Sequence, residues 1–183
     1  MSTTQKTSRH VALVSDAWLP QTNGVVRTLQ TTISILERRG HKVTVISPLD
    51  FKTVPCPTYP EISLSVFPKR KLFKWLDALN PDCVHIATEG PLGLAARRYC
   101  TKQELPFTTA FHTRFAEYIS ARTRLPESWS YAFLRWFHNG GEASMVPSQS
   151  MIDTLKEKKF NGPGVCGLMC SDPPIKNRMF FWG

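Results

Sequence analysis

Residues 10–47 read HVALVSDAWLPQTNGVVRTLQTTISILERRGHKVTVIS, and their pattern decides the fold. "HVALVS" is a continuous apolar run, as expected of a strand covered on both faces. From Gly24 the apolar residues fall at Val25, Val26, Leu29, Ile33 and Leu36, the spacing of a helix with one buried stripe. "ERRG" closes that helix, with cations in its last turn and Gly40 placed to take a left-handed C-terminal conformation. "KVTVIS" reads as a second strand. A strand, a helix and a strand within about forty residues make a βαβ unit, so the two strands are expected to be parallel.

The alternation continues along the chain. "PLDFKTVPCPTYP" carries four prolines and reads as a loop. "EISLSVF" alternates apolar and polar residues, as in a strand nearer a sheet edge. A short basic helix is expected from Lys69 to Leu79, ending at "NP". "DCVHIAT" reads as a buried strand, "EGPLG" as a turn, "LAARRYCTKQ" as a helix and "PFTTAFHT" as a strand. "PESWSYAFLRWFHNGG" is helical, with Pro126 near its start and Gly140-Gly141 past its end. "ASMVPS" is a short strand, and "SQSMIDTLKEKKF" a helix with Ser148 or Ser150 as N-cap. This order predicts an α/β domain with a doubly wound, mostly parallel sheet. "NGPGVCGLMCSDPPIKNRMFFWG" shows no clear period. The expected division is a disordered N-terminus over 1–8, one domain over 9–160 and an irregular tail over 161–183.

With 183 residues, 42% hydrophobic and 20% charged, the chain is long enough for a sizeable core. No apolar run reaches the ~18–20 residues that span a bilayer. "MSTTQKTSRH" lacks the apolar centre of a secretory signal, so a cytoplasmic location is expected. The five Cys are expected to be reduced, and Cys166 with Cys170 lack a matching His/Cys pair, so no metal site is expected. The net charge of +9 favours polyanionic partners. Its densest run places Lys69, Arg70, Lys71 and Lys74 around Leu72, Phe73 and Trp75, either a solvated helix face or a contact for anionic headgroups. No helix-turn-helix, zinc-finger or RNA-binding motif is visible, and nucleic acid is not an expected partner.

In an open parallel sheet, ligands bind outside the carboxyl ends of the strands. "DAWLPQTNG" lies there after the first strand and feeds a helix N-terminus, where free N–H groups and the helix dipole favour phosphate. Gly24 removes the side chain that would block close backbone approach. Neither G-x-G-x-x-G nor G-x-x-x-x-G-K-[ST] is present, so the dinucleotide and Walker-type loops are absent.

Three ordered blocks, "SDAWLPQTNGVVRTL", "HIATEGPLGLAARRYC" and "PFTTAFHTRFAEYISARTRLPESWSYAFLRWFH", resemble the N-terminal domain of family 4 glycosyltransferases. They most resemble the bacterial α-mannosyltransferase-like members, over about Arg9 to Phe160. The resemblance implies half of a GT-B fold, in which two Rossmann-like domains face each other across a cleft. The N-terminal domain chiefly holds the acceptor, and the C-terminal domain holds a nucleotide-sugar donor. It implies hexosyl transfer with retention, without a cofactor or an acidic metal motif. GDP-mannose is the donor expected by this resemblance.

Carried over by position, Asn23 and Gly24 would line the cleft near the donor diphosphate. His112 would lie beside the transferred sugar, or serve as a structural histidine at a strand end. Glu89 and Gly90 would face the cleft, Glu89 binding an acceptor hydroxyl or capping the next helix. Asp16 would bind acceptor or only hold its loop. Trp18 would stack on a sugar or cover the core. Arg114, Tyr118 and Arg122 would contact the acceptor or form an exposed basic surface. His85 reads as a core histidine, while His10, His41 and His138 are given no role. Family members often act on lipid-linked acceptors, which would suit the basic stretch and a peripheral place at the inner face of the plasma membrane. The donor half has no counterpart in this sequence, so the expectation is a truncated relative that is inactive alone. The rival expectation is a non-catalytic Rossmann-like module that binds a phosphorylated ligand or a protein partner.

Overall fold

The computed structural model describes residues 8–56, 59–112, 127–160 and 165–167. Met1–Pro106 and Phe107–Gly183 are two compact units. The first starts with β1 (His10–Val14), whose Val11 to Val14 are all buried. α1 (Gly24–Arg38) follows, buried along Val26, Leu29, Thr32 and Leu36. Asn23 caps it: its side-chain oxygen accepts from Val26 N at 3.0 Å. Gly40 ends it at φ 85°, with its N–H donating to Glu37 O at 2.9 Å. The next strand, β2 (Lys42–Ile46), runs parallel to β1 with Val11 opposite Val43, so the expected βαβ unit is present.

The proline-rich stretch is more ordered than a loop. It holds a 3₁₀ turn (Pro48–Asp50) and β3 (Thr53–Cys56), which pairs antiparallel with β4 (Tyr59–Ser65) in a separate two-stranded ribbon. β4 is the strand expected there and does lie at a sheet edge, but in this ribbon and not in the parallel sheet. Each strand of such a ribbon has an edge that needs no partner, so Pro55 is tolerated, and the register shifts beside it. α2 (Lys69–Leu79) buries Leu72 and Leu76 and ends at Asn80, which is left-handed at φ 43°. β5 (Cys83–Ile86) is wholly buried and pairs in parallel with the other side of β1. α3 (Pro91–Gln103) starts three residues before the expected Leu94, because proline suits the first helical position. The parallel strands of this unit run in the order β2-β1-β5.

In the second unit, β6 (Phe107–Ala110) is buried throughout. α4 (Glu127–His138) and β7 (Ala143–Val146) follow. α5 (Gln149–Glu157) is capped by Ser148, whose hydroxyl accepts from Met151 N at 3.3 Å. β7 pairs in parallel with β6 and with β8 (Val165–Gly167). The stretch after residue 160, expected to be irregular, thus contributes a strand too short to show a period. Phe111, Tyr131, Leu134, Val146, Ile152, Leu155 and Phe160 form the core of this unit. Phe160 meets Phe111 edge-on at 5.8 Å and Tyr131 at 6.3 Å.

Candidate functional site

The strand order of the first unit locates its site. The chain leaves β1 to one side to make β2 and returns on the other side as β5. The loops after β1 and β5 therefore diverge outside the carboxyl ends of two adjacent strands, where open α/β sheets bind ligands. Val14 is paired with Ile86, and Ala87 N donates to Val14 O at 2.8 Å, so both loops leave from one edge. Asp16, Trp18, Asn23 and Gly24 lie on the first loop and its helix start. Glu89 and Gly90 lie on the second.

Two helix N-termini meet this edge, and they differ. At α3 the free N–H groups are already taken. Leu92 N donates to Asp16 Oδ1 at 2.9 Å and Gly93 N to Asp16 Oδ2 at 3.2 Å. Thr88 adds its hydroxyl to Oδ2 at 2.9 Å and accepts from Asp16 N at 2.7 Å. Asp16 is 5% exposed, so its carboxylate is turned onto the helix start and away from solvent. The reading of Asp16 as an acceptor ligand gives way to its other reading, a residue that holds its loop. Burial pushes this carboxyl up to about 6, although bonds from Leu92, Gly93 and Thr88 pull it down, and the Glu89 charge adds to the rise.

The glycines here follow from the same packing. Gly90 is the N-cap of α3, and a Cβ on it would overlap the Asp16 carboxylate. A Cβ on Gly93 would overlap the Thr88 carbonyl. Thr88 and Gly93 were not singled out from the sequence. The signal available was small: a threonine and two glycines around a helix start.

At α1 the one side-chain cap is local, Asn23 on Val26 N, and among the described residues no distant carboxylate covers the helix start. A Cβ built on Gly24 meets no atom within 4 Å, so neither packing nor a left-handed backbone demands glycine there. Asn23 caps through its carbonyl oxygen, while its amide donates to Gln21 Oε1 at 3.1 Å. Trp18 is half-buried against the cluster of Leu13, Leu29 and Ala87, in the core-covering position.

The remaining candidates lie outside these two loops in the sequence. His112 is half-buried and follows β6 in the second unit. Arg114, Tyr118 and Arg122 lie outside the described residues. Lys69, Arg70, Lys71 and Lys74 are exposed on α2. His85 is buried in β5, as read. His138, given no role, is also buried, and its Nδ1 shares a hydrogen bond with Thr109 Oγ1 at 2.9 Å. Thr109 in turn shares one with Ser144 Oγ at 2.7 Å, linking α4, β6 and β7. Among the described residues no cluster of three or more His, Cys, Asp or Glu is arranged to hold a metal ion. No helix among them is long and apolar enough to cross a membrane.

Comparison with known proteins gives this architecture its class. The crystal structure of UGT73P12 from Glycyrrhiza uralensis, complexed with glycyrrhetinic acid 3-O-monoglucuronide, superposes on 86% of this chain and 48% of its own. The TM-score is 0.50 at 9% sequence identity, a likeness of fold alone: Rossmann-like α/β, as in one half of a GT-B enzyme. A family model places the chain further: it matches residues 22–163, and the chain belongs to Glycosyltransferase Family 4. It is 28% identical over 166 residues to a GDP-mannose-dependent alpha-mannosyltransferase of Mycolicibacterium smegmatis, covering 79% of this chain and 44% of that protein. It is 31% identical over 133 residues to an alpha-monoglucosyldiacylglycerol synthase of Acholeplasma laidlawii, covering 63% of this chain and 32% of that one. The chain thus spans less than half the length of these relatives.

Proposed function

We propose that residues 9–160 are the acceptor-side domain of a retaining hexosyltransferase that moves a sugar from a nucleotide-sugar donor to a lipid or glycan acceptor. GDP-mannose is the donor we assign, supported by the mannosyltransferase relative. A lipid acceptor is supported by the diacylglycerol-glycolipid synthase relative. The observation that carries the reading is the contrast between two helix starts: α3 is covered by the Asp16 carboxylate, while α1 is capped only by its own Asn23 and begins on Gly24, which adds no side chain. Asp16 fills the anion position on α3, while Gly24 leaves the start of α1 accessible to a ligand. Backbone N–H groups there would stabilise negative charge on a departing diphosphate. His112 would hydrogen-bond the transferred sugar. Glu89, Arg114, Tyr118 and Arg122 would hold the acceptor, with Trp18 at the edge of the site. Lys69, Arg70, Lys71 and Lys74 would face an anionic membrane surface from the cytoplasmic side.

Transfer requires donor and acceptor at reacting distance. Turnover by these 183 residues would therefore call for a donor-side half such as the relatives carry. The test uses radiolabelled GDP-mannose with membrane lipid extract, the 183-residue chain and a donor-side half from a relative. Labelled lipid or glycan is expected only when both are present. Gly24→Val should lower transfer about a hundredfold, the scale of a lost oxyanion contact, without lowering the thermal midpoint. Wild-type transfer rates in Gly24→Val would refute the placement of the diphosphate. Phosphorylated-ligand binding with no transfer in any combination would favour a non-catalytic module.

A further inference from the structure

We propose that Asn139–Gly140, in the turn that follows α4, is a site of spontaneous covalent modification, deamidation to an aspartyl or isoaspartyl linkage, and that the fold protects the corresponding pair at the start of α1, Asn23–Gly24. The inference is independent of the transferase reading, since the only co-reactant it needs is water.

An asparagine followed by glycine is open to this reaction because the glycine has no Cβ to hinder attack by its nitrogen. The backbone nitrogen of the glycine attacks the asparagine Cγ. An N–Cγ bond forms, the Cγ–Nδ2 bond breaks, and the proton of the attacking nitrogen leaves, by way of water, with the departing ammonia. Water then adds to one of the two carbonyls of the five-membered imide and reopens it. One water enters and one ammonia leaves, and nothing is oxidised or reduced. The chain carries this pair at 23–24, 139–140 and 161–162. The last lies outside the described residues.

Exposure does not separate the two described pairs, since Asn23, Gly24, Asn139 and Gly140 are all exposed. Hydrogen bonding does. The Asn23 amide is held at both atoms: Oδ1 accepts from Val26 N at 3.0 Å, and Nδ2 donates to Gln21 Oε1 at 3.1 Å. Turning its Cγ toward Gly24 N would break the cap of α1. Among the described residues nothing holds the Asn139 amide, and Gly140 N donates to no carbonyl. The bonds of this turn pass on either side of it: Asn139 N donates to Arg135 O at 2.9 Å and Gly141 N to His138 O at 3.1 Å. The product would act on the second unit. A carboxylate at position 139 puts negative charge at the C-terminal end of α4, where the helix dipole disfavours it. An isoaspartyl linkage also adds a methylene to the main chain beside buried His138, whose Nδ1 shares a hydrogen bond with Thr109 Oγ1 at 2.9 Å. The same turn is fixed to β6 by Glu142 N, which donates to Phe107 O at 2.8 Å. Ageing at this point therefore loosens the seat of α4 on β6 and leaves Asn23 and Gly24 intact.

The test incubates the purified 183-residue chain in warm, mildly alkaline buffer, folded and in urea, and follows its tryptic peptides by mass and by chromatographic separation of isomers. Cleavage separates the two pairs, because residues 10–27 hold Asn23 and residues 136–156 hold Asn139. In the folded chain, peptide 136–156 should gain about 1 Da and split into two isomers. Its rate should exceed that of peptide 10–27 about tenfold, the factor by which an intact N-cap lowers the reactive population. In urea the two rates should converge. Equal rates in the folded chain, or no change in peptide 136–156, overturns the proposal. A difference that persists in urea would trace the order to neighbouring residues and overturns the protection of Asn23 by the fold. The thermal midpoint should fall during incubation of the wild-type chain and hold in Asn139→Gln. Equal falls in both would refute the link to α4.

Discussion

Asp16 sets two large effects against each other, and a pH series measures which wins. Its carboxylate receives three donors, from Leu92 N, Gly93 N and Thr88 Oγ1, each of which favours the charged form. Burial favours the neutral form and prevails, raising the pKa from 3.8 to about 6. At about 1.36 kcal/mol per unit, that rise is worth roughly 3 kcal/mol. The sign follows from proton counting. Between these two values the native chain holds a proton that the unfolded chain has released. The contribution is therefore full below 3.8 and is lost as pH rises through about 6. In the neutral state the acid proton has an acceptor at hand, because Thr88 Oγ1 lies 2.9 Å from Oδ2.

Asp16→Asn removes the titrating group and nearly preserves its shape. Wild-type and variant are compared by urea unfolding, followed through tryptophan fluorescence, at half-unit steps from pH 4 to pH 7.5. Other groups titrate equally in both, so the difference between the two stabilities isolates this carboxyl. The wild-type chain should lose about 2.4 kcal/mol of the roughly 3 kcal/mol relative to Asp16→Asn across that range, mostly between pH 4 and pH 6, the remainder being lost already below pH 4. A difference that stays constant within about 0.5 kcal/mol would refute the reasoning. It would mean that the three donors cancel the cost of burying the charge.

Gly90→Ala should destabilise by at least the ~1–3 kcal/mol of an overpacked core in calorimetry, and Asp16→Ala should relieve part of that loss in the double variant, since the two groups compete for one space. Gly24→Ala, whose new methyl meets nothing, should leave the thermal midpoint unchanged or raise stability by up to about 1 kcal/mol. Thr109→Val removes the hydroxyl shared by His138 and Ser144 and should cost about 1–3 kcal/mol in urea unfolding.

The elements were largely legible because their signals are local. The unbroken apolar run Val11 to Val14, bounded by turn residues, marks a buried strand from its own neighbourhood, and Asn23 with Gly40 marks both ends of α1 in the same local way. β3 was hidden because prolines mask a strand until a partner strand supplies an edge that tolerates them. β8 spans only three residues, and a pattern that short has no measurable period.

The site divides in the same way. Asn23 and Gly24 announce a helix start by composition alone. What the sequence conceals is that α3 is closed by Asp16, which lies 76 residues before Leu92 and meets it only once β1 and β5 pair in register. Propensity and spacing cannot report that contact, because it depends on which strands become neighbours. The same holds for His138, whose partners Thr109 and Ser144 lie on two other elements. These hidden contacts also change what the visible motifs mean. Two glycines at helix starts, Gly24 and Gly90, look alike in the sequence, yet one is required by the chain's own carboxylate and the other by nothing within the described residues. A glycine that packing explains says little about ligands, so the structural account of Gly90 is what directs the search for a ligand to Gly24.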